Sequence, residues 1–136
     1  MSTTNSEYLL LFRGSEWDHS LSPTELQDTL AKFATWFERL SAEGTIIAGQ
    51  PLLDEGRVIG KAGRVIADGP YAESKEAVGG YLLIRAESLD HAVEIARQFP
   101  ILEYGTFVEV RPVAVECPTM QRARQAISHE LATAEA

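Results

Sequence analysis

Gly80-Tyr81-Leu82-Leu83-Ile84-Arg85-Ala86 carries apolar side chains at odd and even positions alike. A strand that is apolar toward both sides has both of its faces covered, so this run belongs in the middle of a sheet. Glu7-Tyr8-Leu9-Leu10-Leu11-Phe12-Arg13 has the same character and reads as a second central strand. Thr106-Phe107-Val108-Glu109-Val110-Arg111 is the last strand of the chain, and Pro112 directly after it has no N–H to donate to a ladder. That strand is therefore expected at an edge.

Helix signals fall between these strands. Ser22-Pro23-Thr24-Glu25 places a capping serine, a proline at the first helical position and a glutamate three residues on, which together make a capping box. Leu26, Leu30, Phe33, Phe37 and Leu40 then recur at three- and four-residue steps as one apolar stripe, and Gly44 ends the helix. Ser88 opens a second helix with Asp90 in its first turn, Leu89, Val93, Ala96 and Phe99 as its expected inner face, and Pro100 as its stop. Gly14 to Ser22 reads as a loop. Thr45–Ala48, Arg57–Ile59 and Arg64–Ala67 are short apolar runs broken by Gly49, Pro51, Gly56, Gly60 and Gly63, so they read as hairpin material of open register. Strand, helix, strand or hairpin, strand, helix, strand is the order of a ferredoxin-like βαββαβ unit, an α+β fold whose first and third strands are central. Apolarity of the first and third strands and the proline after the fourth agree with that one topology.

With 136 residues the chain is long enough for one domain with a sizeable core. Residues 1–117 hold all the strand and helix signals above, and 118–136 read as a short C-terminal helical tail. A net charge of −8 argues against a nucleic-acid surface, which needs clustered Lys and Arg. No apolar run approaches a membrane span, and the polar start Met1–Glu7 lacks a signal-peptide pattern, so a cytoplasmic location is expected. The single cysteine, Cys117, forms no internal disulfide and reads as a small buried hydrophobe. No His or Cys stands at ligand spacing, so neither a metal nor another cofactor is expected.

Polar chemistry concentrates in Ala67-Asp68-Gly69-Pro70-Tyr71-Ala72-Glu73-Ser74-Lys75-Glu76, a segment that leads into the central strand. Asp68-Gly69-Pro70 reads as a tight turn that sets Asp68 in one place. This run, together with Gly79-Gly80-Tyr81 and Glu109-Val110-Arg111-Pro112, resembles the YCII-related family in its DGPF-domain branch, from about Tyr8 to about Val115. The resemblance implies a dimeric α+β barrel in which a second copy covers the free sheet face, hence a homodimer with no nucleic-acid or membrane partner. It implies a cleft with the aspartate of the motif at its mouth, paired in some members with a histidine for acid/base work. Here Asp68 is the expected acid or base. Tyr71 stands where the motif has phenylalanine and adds a hydroxyl to the ring; Glu73 and Lys75 repeat the motif residue by residue. Many members carry Cys-Pro-His after the second helix, where this chain reads Phe99-Pro100-Ile101.

His19 in the loop before the first helix is a remote candidate for the missing histidine, while His91 and His129 read as surface residues. Glu109 and Arg111 share one face of the last strand, roughly 7 Å apart along it. They read as an ion pair, or Arg111 grips an anionic ligand through two parallel hydrogen bonds. The expected ligand is a small polar or anionic molecule, contacted by Tyr71, Glu73, Lys75 and Arg111 and either bound or converted near Asp68. The alternative is a non-catalytic dimeric sensor or protein-interaction module, for which the branch's frequent genomic neighbourhood with extracytoplasmic-function sigma factors supplies a context.

Overall fold

The computed structural model describes residues 6–14, 16–69 and 77–134. Eight of its segments form β1 (Ser6–Arg13), α1 (Pro23–Ala42), β2 (Ile46–Pro51), β3 (Gly56–Ile59), β4 (Val65–Gly69), β5 (Val78–Ala86), α2 (Leu89–Arg97) and β6 (Phe107–Pro112). A further helix, α3 (Pro118–Ala134), ends the described chain. The main sheet is antiparallel with order β2-β5-β1-β6. In terms of the four strands of a ferredoxin-like unit this is second, third, first, fourth, so the two doubly apolar strands are central and the proline-terminated strand is an edge. β3 and β4 stand outside the sheet as a two-stranded ribbon of their own. The fold is thus the expected α+β arrangement with a hairpin inserted between its second and third strands.

Both helices lie on one face. Tyr8 and Leu10 of β1 meet Ile84 and Leu82 of β5 across the ladder, and all four are buried beneath the helices. Leu10 and Ile84 have no exposed surface at all. Ser22 accepts from the Glu25 N–H at 3.2 Å while the Glu25 carboxylate accepts from the Ser22 N–H at 3.0 Å, completing the capping box. The Ser22 N–H and hydroxyl also hold the Glu25 carboxyl below the usual glutamate range. Gly44 takes φ +76°, the left-handed conformation that ends such a helix at no steric cost.

The inner faces of the helices are rotated from the sequence expectation. On α1 the buried positions are Thr29, Trp36 and Leu40, with Phe33 and Phe37 packed at the margin, whereas Leu30 is 48% exposed. On α2 they are Ala92, Ile95 and Ala96, and Leu89 is 45% exposed. Small residues let α2 approach the sheet closely, which a stripe chosen by side-chain size does not anticipate. The Phe99 ring closes the layer: it lies 4.6 Å from Phe12 of β1 and 5.5 Å from Trp36 of α1, centroid to centroid, and meets Phe33 edge-on at 6.0 Å. Arg39 of α1 donates to the Gln98 side chain just past α2, tying the two helices at the surface.

The opposite face of the sheet carries Leu9 and Leu11 beside Leu83 and Tyr81, flanked by Glu109 and Arg111 of β6. No element among the described residues covers it. Cys117 corrects an expectation: it is exposed, and the N–H groups of Met120 and Thr119 at the start of α3 hold its thiol below the ordinary cysteine range. Its side chain caps a helix that itself lies outside the core, so no burial is available to it.

Two outcomes follow from this packing. Leu10→Ala should cost about 3 kcal/mol in urea denaturation, because it empties a closed site, whereas Leu30→Ala should cost no more than about 0.5 kcal/mol. At neutral pH iodoacetamide should alkylate Cys117 faster in the folded protein than in urea, since the lowered pKa raises the thiolate fraction only while the cap is formed.

Candidate functional site

The ends of β1 and β2 and the start of β5 come together at one end of the sheet, and there the helical layer does not close on it. A cavity of about 620 Å³ opens at this end. Its wall is aromatic: Phe12 from β1, Trp17 from the following loop, Phe33 and Phe37 from one side of α1, and Phe99. Polar groups are few. Arg13, Gln50, Asp54, Tyr81 and Thr106 are the polar residues of the lining, beside Gly14 and Gly79. The Thr106 hydroxyl is already committed to the Ile101 carbonyl at 2.9 Å.

Glycine makes the floor. A Cβ on Gly49 would lie 2.3 Å from Leu82 Cδ2 and 2.7 Å from the Tyr81 carbonyl oxygen, and one on Gly80 would lie 3.1 Å from the Gln50 carbonyl. β2 and β5 therefore approach each other here only because both positions lack side chains, which gives Gly49 and Gly80 a packing reason. Two backbone bonds hold the rim, from the Leu52 N–H to the Gly79 carbonyl at 2.9 Å and from the Gly14 N–H to the Ala77 carbonyl at 3.4 Å.

The anticipated site residues fall in different places. Tyr71, Glu73 and Lys75 lie outside the described residues. The described chain resumes at Ala77, two residues before the cavity-lining Gly79. Asp68 belongs to β4, where its backbone pairs opposite Arg57, so it occupies a strand and not the tight turn read from Asp68-Gly69-Pro70. The preceding Val65–Ala67 run is apolar enough to extend the ribbon through Gly69.

Arg111 is on β6, largely exposed on the uncovered sheet face, and is not among the cavity's lining residues. Its guanidinium stands 3.9 Å from Glu109, as the shared face predicts, but Glu109 is held more tightly by Arg13, whose Nη2 and Nε donate to one carboxylate oxygen at 2.8 and 3.1 Å. Arg13 thus joins the two regions: it lines the cavity and anchors the acidic residue of the open face. His19 is exposed, 3.9 Å from Asp18, and does not line the cavity. Ile101, which stands where the resembled pattern has histidine, is buried and does line it.

The aromatic wall is the part that sequence reasoning did not single out as a site. Phe33, Phe37 and Phe99 carry helix-face spacing, which is the same for a ring that fills a core and a ring that borders a cavity. Trp17 sat in a stretch read only as loop; it stacks on Tyr104 with ring centroids 6.2 Å apart. Among the described residues no cluster of His, Cys, Asp or Glu is arranged to hold a metal ion, and no helix is long and apolar enough to cross a membrane.

Gly49→Ala should destabilise the fold by roughly 1–3 kcal/mol, because Leu82 can move but the Tyr81 carbonyl cannot. Thermal denaturation of the purified variant measures it.

An uncharacterised protein of Rhizobium meliloti is 42% identical over 55 residues, which are 40% of this chain and 44% of that protein. The chain therefore matches less than half the length of that relative. Among solved structures, 5-chloro-2-hydroxyhydroquinone dehydrochlorinase from Burkholderia phenoliruptrix, in complex with 2,5-dihydroxybenzoquinone, is 24% identical, with a TM-score of 0.42 over 76% of this chain and 90% of that one. The profile of the YCII-related domain matches residues 7–116, nearly the whole of the sheet and both of its covering helices, and the chain belongs to that family.

Proposed function

We propose that this protein works as a homodimer, paired through the uncovered sheet face, and holds a small molecule in the cavity at the end of its sheet. The observation that carries this reading is the aromatic wall. Five rings around a space of about 620 Å³ suit a flat, largely apolar body, since pockets of this size take up most of a small ligand's surface. Arg13, Gln50 and Asp54 suit a polar or anionic group at one end of such a ligand. The small polar or anionic ligand expected from the sequence is thereby given an apolar body as well.

In this reading Asp68 is the acid or base of any conversion, and Tyr71, Glu73, Lys75 and Arg111 are the further polar contacts. The non-catalytic alternative has one observation in its favour. Ile101 stands in the cavity lining where the resembled pattern has a proton-carrying histidine, and an isoleucine moves no proton. For the dimer, the support is the ladder of Leu9, Leu11, Tyr81 and Leu83 with nothing over it, and the mixed charges of Arg13, Glu109 and Arg111 beside it, which can be self-complementary about a two-fold axis.

Native mass spectrometry of the protein as purified tests both parts. The expected result is two chains, with any retained molecule released on denaturation; a monomer would sink the sheet-face pairing. Leu83→Asp should convert the dimer to monomers. Once a ligand is in hand, Phe37→Ala should weaken it about tenfold, a loss of about 1.4 kcal/mol from one ring. Asp68→Asn should leave binding intact and abolish turnover; unchanged turnover would remove Asp68 from the chemistry, and a bound ligand that the wild type never converts would leave the binding-only reading standing.

A further inference from the structure

Two apolar surfaces of this chain lie apart from each other. α3 buries none of its 17 residues. Yet Met120, Ala123, Ile127, Leu131 and Ala134 follow one another at steps of three and four, so they form a single stripe along it. Met120, Ile127 and Leu131 are 65%, 58% and 62% exposed. Val115 in the connection to β6 is fully exposed as well. The second surface is a groove of about 340 Å³ between α2 and the edge strand β6, lined by Leu89, Val93, Ala96, Leu102, Val108 and Val110, with Arg97 as its one charged residue. Ala96 at its floor leaves room for a helix to approach at the 8–10 Å usual between packed elements.

We propose that α3 of one copy seats in the α2–β6 groove of a second copy. In this chain α3 leaves its own groove open. Residues 113–117 reach at most about 18 Å and α3 is about 25 Å long, which together span the roughly 10 Å layers of sheet and helix in a neighbouring molecule. Charge favours the same occupant. Arg97 stands in the lining of the groove, and Glu130, beside Ile127 and Leu131 of the stripe, brings the opposite charge to it. Seating the stripe also removes from water the exposed apolar residues of both surfaces, which a single chain leaves wet.

The exchange is separable from sheet-face pairing, which Leu83→Asp addresses. Its test uses the full chain carrying Cys117→Ser, with Val93→Cys in one preparation and Ile127→Cys in another, mixed in equal amounts and oxidised. The expected product is a disulfide-linked dimer in the mixture and in the double variant, with neither single variant linking to itself. Three results would overturn the proposal. They are no linked dimer in the mixture, a linked dimer from Ile127→Cys alone, which signifies α3 pairing with α3, and a double variant that closes its disulfide within one chain, which signifies docking on its own groove.

Discussion

Everything in the helical layer converges on the ring of Phe99. It arrives just beyond the end of α2 and touches β1 through Phe12 and α1 through Phe33 and Trp36, so one side chain joins three elements that are distant in sequence. Pro100 and the short 3-10 turn Pro100–Tyr104 hold it there, and Gly105, at φ +86°, lets the chain reverse into β6. The same rings, Phe12, Phe33 and Phe99, also line the cavity. The core and the cavity are thus two sides of one aromatic cluster: Trp36 closes the inner side, Phe37 and Trp17 border the open one.

Placing a cavity at the end of the sheet has a second requirement, which is backbone proximity. β2 and β5 meet at Gly49 and Gly80, where any side chain would strike the opposite strand. This close approach forms the floor and brings the chain from Ala77 into the sheet at the rim. The described chain thus resumes at Ala77 directly beside the cavity. Arg13 and Tyr81 both line the cavity and belong to the open sheet face, Arg13 through its bonds to Glu109.

Apolar residues at both parities in β1 and β5, together with Pro112 after β6, were sufficient to order the sheet, because only one common topology places those strands at the centre and that one at the edge. The capping box at Ser22 likewise identified the start of α1 to the residue. Much less of the site was legible. The Asp-Gly-Pro run suggested a turn, whereas β4 continues through Gly69; local turn propensity yielded to the pairing of a hairpin. Cys117 suggested burial, but the helix it caps has no core to share.

The sequence by itself determined which strands are central, where the helices begin and end, and which family the motif belongs to, since these depend on local capping, on the parity of apolar residues and on matching one residue at a time. Only the tertiary structure decided that Phe33, Phe37 and Phe99 border a cavity, that Arg111 stands on the far face from it, and that α3 carries an apolar stripe without covering its own chain. Each of these depends on which side of an element meets another element. Periodicity names the side and leaves open what lies across from it.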